Sequence, residues 1–373
     1  MRRLLPSEIK MKPTLGILLN LGDSFKTYRQ SGRDIHWRNN YLKYYPHEFN
    51  QPLVFSYYHE PNPFPELIKL LPNRTSLPRF IYTFLIPFIY FKQLKSCQVL
   101  RVKQMPGVWP ALIAKLFWRL PVISTYGYDY CLFAKKEGHR FSLPFINLTE
   151  FFGLKFSDKI IVTNSAMKQK ISRLVESNKI VLLPNGVDTQ LFKPKVKPAT
   201  KNLHLVSIGR LVYQKNFSSL ITAVSRLKTD RPISLNIVGN GYLESELVAL
   251  AKKLSVKLTI IQFLPHDQIA DFLQSGDIFV MPSHYEGSPK ALLEAMSCGL
   301  PCIVANKPYS RFIISNNKNG IFIQDLTKDL EKLINNSLLA QQIGRQARLT
   351  IIKHFNNQDI IHREIKLLLS LIK

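Results

Sequence analysis

The sequence predicts two α/β domains in series, each a parallel sheet covered by helices on both faces, with the carboxyl ends of the two sheets facing a shared cleft. Three observations lead there. The chain has 373 residues, which at roughly 100–200 residues per domain is enough for two. Short β-branched runs alternate with longer helical stretches, as βαβ units require. A break at 193–201, with four lysines and two prolines in nine residues, divides that alternation into two series and has the composition of a linker.

In the first series, strands are expected at 15–20, 53–57, 99–103, 122–126 and 159–163, with helices at 108–119 and 166–175. The second begins with a strand at 203–208, a helix at 217–227 and a strand at 234–238. A helix at 243–254, a strand at 257–262 and a helix at 268–273 follow. A strand at 277–281, a helix at 289–297 and a strand at 301–304 complete it. The remaining stretch, 339–373, reads as two helices broken near Asn356 and Asn357, the second amphipathic over 360–372. This divides the chain into an N-terminal Rossmann-like domain (1–192), the linker, a C-terminal domain (202–350), and a last helix (351–373) packing back on the first domain. Ligands of open α/β sheets bind outside the carboxyl ends of the strands.

Hydrophobic residues make up 46% and charged residues 20%, which suits a globular chain. The charge balance is unusual: 51 Lys and Arg against 25 Asp and Glu give +26. Residues 1–200 hold 30 of the basic and 12 of the acidic side chains, a net of +18, which leaves 21 and 13, or +8, for the rest. Such a half calls for an anionic membrane surface, an acidic substrate or nucleic acid, or it is a solvated basic surface. No helix-turn-helix, zinc-finger or RNA-binding signature is present, so nucleic acid is not expected as a partner. The most apolar run, FIYTFLIPFIYF at 80–91, is too short to span a bilayer, which needs about 20 residues. It fits an interfacial helix and fits a buried core helix equally. The N-terminus does not read as a secretory signal, and the four cysteines read as reduced thiols of a cytoplasmic protein held peripherally at the inner face of the membrane.

Three motifs could carry chemistry. In 283–299, SHYEGSPKALLEAMSCG, a strand gives way to a helix. Ser288 stands where an N-cap is expected and Pro289 at the first helical position, leaving backbone N–H groups at Lys290 and Ala291 to attract phosphate. Glu286 before the helix and Glu294 within it could accept hydroxyls of a sugar or ribose. The alternative is that Glu286 caps the helix and Glu294 is solvated. In 208–216, IGRLVYQKN, Gly209 ends a strand, and Arg210 and Lys215 could clamp a diphosphate. In 237–247, IVGNGYLESEL, Gly239, Asn240 and Gly241 form a turn that would admit a nucleotide closely or simply turn tightly.

Together these motifs resemble the family 4 retaining glycosyltransferases, the group 1 glycosyl transferase domain. The likeness rests on Glu286 and Glu294 with seven residues between them, on GR…QKN at 209–216, on VGNG at 238–241 and on LPNGVD…F.P at 183–194. Glu150, eight residues before Asp158, and SDKIIVTNS at 157–165 match more weakly. The resemblance implies a GT-B fold with a nucleoside-diphosphate sugar held mainly by the C-terminal domain. It implies that Arg210 and Lys215 neutralise the diphosphate and that Glu294 binds the ribose. Glu286 would hold a hydroxyl of the transferred sugar, with the backbone of Gly287 and Ser288 beside it. It further implies retention of configuration with neither metal nor cofactor; the sequence holds no D-x-D pair. The expected acceptor is a glycan or lipid-linked precursor of a cell-surface polysaccharide.

The sequence departs from the family pattern in three places. Only Gly22 stands in the loop after the first strand. Tyr126 or Gly127 occupies the position where relatives have a histidine, leaving Asp129 as the acceptor-side ionisable candidate. Phe312 falls where a late glutamate is common. An epimerase or phosphorylase on the same scaffold and a catalytically inactive sugar-binding relative are the alternatives.

Overall fold

Strands buried on both faces read as continuous apolar runs, and that is the pattern of both sheets here. The computed structural model describes residues 11–138, 140–196 and 201–372. The first sheet holds β1 (Leu15–Leu18), β2 (Leu53–Phe55), β3 (Lys69–Leu71), β4 (Val99–Val102), β5 (Val122–Tyr126), β6 (Lys159–Val162) and β7 (Ile180–Leu182). The second holds β8 (Leu203–Ile208), β9 (Ile233–Val238), β10 (Leu258–Ile261), β11 (Ile278–Met281), β12 (Cys302–Ala305) and β13 (Ile321–Ile323). Their orders are β3-β2-β1-β4-β5-β6-β7 and β10-β9-β8-β11-β12-β13, every pairing parallel. The strands not anticipated from sequence, β3, β7 and β13, have three residues each, too few to show a period.

Each sheet is covered on both faces by apolar clusters. Residues 193–196 of the expected linker have no regular structure, and 197–200 lie outside the described residues. Helix Ser337–His354 packs in the C-terminal domain through Ile343, Ala347 and Ile351. The chain then crosses back at Phe355 and Asn356, slightly later than the boundary at 351. Asn356 caps the next helix, Asn357–Leu369, by accepting from Gln358 N. Ile360, Ile361, Ile365 and Leu368 of that helix join Leu15, Ile17 and Val99 in one core of the N-terminal domain.

The apolar run at 80–91 becomes helix Arg79–Ile89 and, past a break at Tyr90, helix Phe91–Lys95. Tyr82, Thr83, Ile86 and Pro87 are buried, whereas Phe80, Ile81, Phe88 and Ile89 are exposed. The core alternative therefore describes one face of it, and the other face is exposed. No helix among the described residues is long and apolar enough to cross a membrane. All four cysteines are free thiols.

Candidate functional site

Strand order reverses between β1 and β4 in one sheet and between β8 and β11 in the other. Loops leaving such neighbours diverge and open a crevice. The two crevices meet in a cleft of about 960 Å³. Its C-terminal wall contains Gly209, Arg210, Lys215, Glu286, Gly287, Ser288, Pro289, Lys290 and Glu294. Lys215 and Glu286, 71 residues apart in the chain, thus converge on one cavity.

Lys215 closes a 3-10 turn (Tyr213–Lys215) that Asn216 ends in the left-handed region, φ 54°. Its Nζ lies 2.5 Å from Glu286 Oε1, and both side chains are nearly buried, at 14% and 10% exposure. Gln214 Nε2 donates to Glu286 Oε2 at 3.4 Å. A Cβ at Gly209 would stand 2.8 Å from Lys215 Cε, so the glycine lets the lysine lie across it. Arg210 is more open, 60% exposed, and its Nη2 reaches Gln214 Oε1 at 3.1 Å and Glu137 Oε1 of the facing domain at 3.5 Å. Glu294 is buried, with Oε1 3.2 Å from His266 Nε2.

The local reading of the 286–294 segment needs two corrections. The helix is Lys290–Ser297, with Pro289, not Ser288, in the N-cap position and no side-chain cap. Ser288 does not cap because its loop is drawn toward the other domain: Asn164 Nδ2 donates to Gly287 O at 2.8 Å. A Cβ at Gly287 would come within 2.6 Å of Tyr128 Cβ and 3.0 Å of Gly127 O, so only glycine permits this approach. The alternative roles also fall away: Glu286 pairs with Lys215 instead of capping, and Glu294 is buried instead of solvated.

Other candidates are placed outside the cavity wall. Gly239, Asn240 and Gly241 brace it from behind. Leu211 N donates to Asn240 O at 2.7 Å, and a side chain at Gly239, φ 151°, would collide with the Gly209 carbonyl oxygen. The loop after β9 thereby fixes the loop that carries Arg210 and Lys215. Gly22, φ 78°, backs onto Arg79 and not onto the cleft. Asp129 is a helix cap, accepting from Leu132 N at 2.9 Å, and pairs with Lys170 at 2.7 Å. It is committed to holding helix Tyr130–Lys136 and does not line the cleft. Phe312 packs on Phe355 beside a different cavity. Glu150 does line the cleft, accepts from Tyr126 OH at 3.3 Å, and has its pKa raised chiefly by burial.

Several residues of the site carried no sequence signal. A second cavity of about 260 Å³ adjoins the cleft through Tyr128, Ser288 and Lys290. It holds Asp23, whose pKa burial raises and whose Oδ2 accepts from Tyr28 OH at 2.9 Å. Asn20 Oδ1 and Thr125 Oγ1, both on residues lining this cavity, are buried without a hydrogen-bond partner. At its edge His36 Nε2 is 3.0 Å from Lys290 Nζ, and His36 Nδ1 is 3.2 Å from His266 Nε2. This chain of contacts ties the N-terminal domain to Glu294. Burial, then the Lys290 charge, keeps His36 well below the usual histidine range, and burial likewise lowers Lys290. Among the described residues, no three His, Cys, Asp or Glu side chains converge as metal ligands; the cations on the cleft wall include Arg210, Lys215 and Lys290.

Comparison with known proteins agrees with this geometry. The family model for glycosyl transferases group 1 matches residues 188–350, and that for glycosyltransferase family 4 matches 47–191. An uncharacterized glycosyltransferase of Haemophilus influenzae is 30% identical over 54% of this chain and 59% of its own length. The UDP-Gal:alpha-D-GlcNAc-diphosphoundecaprenol alpha-1,3-galactosyltransferase of Escherichia coli is 30% identical over 50% of this chain and 52% of its own. The match therefore spans less than two thirds of either relative. Among solved structures, Anabaena HepE in complex with UDP-glucose superposes with a TM-score of 0.76 at 16% identity, over 96% of this chain and 100% of that one. With the two family models together covering residues 47–350, the chain belongs to the family 4 glycosyltransferases and has the GT-B fold.

Proposed function

We propose that this enzyme moves a sugar from a uridine diphosphate sugar to a hydroxyl of a lipid-linked glycan, with retention of configuration and without a metal ion. The acceptor would be a precursor of a cell-surface polysaccharide such as lipopolysaccharide, met at the inner face of the cell membrane. One observation carries the reading: the nearly buried Lys215–Glu286 pair stands beside Arg210 and the opening of helix Lys290–Ser297 on a single cleft wall. The two cations and the helix end would meet the charge that grows on a departing diphosphate. Glu286 would accept a hydroxyl of the transferred sugar, and Glu294, held by His266, the ribose hydroxyls. The uridine donor and lipid-linked acceptor draw on what the Escherichia coli relative's name states and on the ligand in the HepE structure.

Thermal melting with UDP, GDP and ADP, each with and without EDTA, tests the donor. A ligand that binds only the native state raises the midpoint. UDP is expected to raise it with or without EDTA, and Glu294→Gln to lose most of that rise. A rise with GDP or ADP alone would reassign the base. No rise with any nucleotide would return the inactive reading.

The inner cavity would receive the acceptor hydroxyl. Its half-buried carboxylate, Asp23, replaces Asp129 as the acceptor-side group. Asp23→Asn is expected to lower transfer by about 100-fold or more, since a positioned acid–base group contributes roughly 10²- to 10⁴-fold. The UDP-induced melting shift would stay as in wild type. An unchanged transfer rate would remove Asp23 from this role.

A further inference from the structure

Three helices of the N-terminal domain expose large apolar side chains on one connected face. On helix Arg79–Ile89 they include Phe80 and Phe88; on helix Trp109–Trp118, Leu116 at 78% and Phe117 at 58% exposure; on helix Leu143–Phe156, Leu148 and Phe151. Ring contacts join the helices: Phe88 to Phe117 at 5.8 Å, Phe80 to Phe145 at 5.0 Å, and Trp109 to Phe152 at 5.5 Å. An exposed apolar patch this continuous marks an interaction surface. Its charge is one-sided. The three helices and the adjoining helix Phe91–Lys95 carry Arg79, Lys92, Lys95, Lys115 and Lys155 against one acid, Glu150, which lines the cleft instead; Lys115 is paired with Asp158 at 2.5 Å, so the excess rests on the other four.

We infer that this face docks on an anionic phospholipid bilayer, aromatic side chains in the headgroup region and lysines against the lipid charge. Aromatic amphipathic faces with basic rims have the composition of interfacial anchors. A second copy of the chain fits less well, because a symmetric contact would set Lys92 and Lys95 near their own images. The face is continuous with the site: helix Leu143–Phe156 presents Phe145, Ile146 and Thr149 to the cleft and Leu148 and Phe151 to the surface. A bilayer on the outer side therefore lies one helix diameter, about 10 Å, from the cleft. This names the membrane partner of the proposed function and rests on that reading only for its purpose, not for its chemistry.

Flotation of the full chain with phosphatidylcholine vesicles, with and without phosphatidylglycerol, tests it. The wild type is expected to float with the anionic vesicles and to remain behind with the neutral ones. Lys92→Ala with Lys95→Ala is expected to weaken binding about 30-fold, at the usual contribution of a basic residue near an anionic surface. Phe88→Ser with Phe117→Ser is expected to abolish flotation while lowering the melting midpoint by no more than a few degrees, since both rings are more than half exposed and lose chiefly their mutual contact. Neither double variant is expected to change transfer to a short water-soluble acceptor, which separates this inference from the assignment of the reaction. Binding retained by both variants, or absent in the wild type, would overturn it. So would a wild-type dimer in light scattering that Phe88→Ser with Phe117→Ser converts to monomer.

Discussion

Lys215→Ala is expected to lower the turnover number for sugar transfer by on the order of 100-fold or more, with a much smaller change in acceptor KM. The size of the effect follows from position. Lys215 Nζ is nearly buried and 2.5 Å from Glu286, so its charge acts in a medium that screens poorly. Without it, Glu286 would remain nearly buried beside the Gln214 amide with its close counter-charge gone, and would repel an incoming diphosphate instead of binding a neutral hydroxyl. Two defects thus coincide in one substitution: a lost counter-charge for the leaving group and a misplaced carboxylate. Arg210→Ala is the internal comparison. Its guanidinium is 60% exposed, and a cation in that setting is screened by water and salt, so its loss is expected to cost less. Initial rates with a labelled donor measure both. Near-normal turnover in Lys215→Ala would remove the lysine from leaving-group stabilisation.

What the sequence made legible is local and periodic. The longer strands and the helix at 289–297 announce themselves because their apolar spacing, turn residues and Gly or Pro boundaries are contiguous in the chain. The same holds for the cleft wall of the C-terminal domain, since 209–215 sits on one strand-to-helix loop and 286–294 runs from such a loop into its helix. The acceptor side was less legible for a physical reason. Asp23, Thr125 and His36 come from separate segments of the N-terminal domain, about 100 residues apart at the extremes, and meet only once its sheet and loops have folded. His266, two residues before the helix expected at 268–273, was not singled out, yet it holds Glu294 and touches His36. Asp129 looked like a free carboxylate because sequence does not reveal that Lys170 and Leu132 N engage it. Helix Leu326–Ile334 is amphipathic but follows a strand of only three residues, β13, and without that strand no alternation called for it.

The second large effect lies in stability, at the point where the last helix returns to the first domain. Glu364 is buried against β4, accepting from Arg101 Nε at 2.9 Å and Nη2 at 3.3 Å and from Tyr45 OH at 2.7 Å. Lys103 Nζ is 3.5 Å away and sits over the Tyr41 ring at 4.1 Å. Burial alone would raise the Glu364 pKa, but Arg101 and Lys103 hold it well below the usual carboxylate range. Lys103 is the poorer partner: burial lowers its pKa to about 7, with Arg101 opposing its charge and Glu364 only partly restoring it. Glu364→Ala would leave both cations buried without their carboxylate, a change that costs roughly 3–5 kcal/mol. For a domain of this size that is on the order of 10 °C in melting midpoint. Arg101→Met, Lys103→Met and Glu364→Leu combined are expected to recover most of the loss, since an apolar set of similar volume removes the unpaired charges. The pH dependence fixes the origin. A carboxylate with a depressed folded-state pKa stabilises above its unfolded value near 4.5 and loses that contribution as pH falls toward the folded value. The acid-induced fall in midpoint below pH 4.5 is therefore expected to flatten in Glu364→Ala. Lys103 acts at the other end: unfolding lets it bind a proton between about pH 7 and 10.5, so its contribution to wild-type stability rises with pH across that window. A Glu364→Ala protein that melts with the wild type at neutral pH and follows the same acid limb would show that the apolar contacts of Ile360, Ile361, Ile365 and Leu368 alone hold the returning helix.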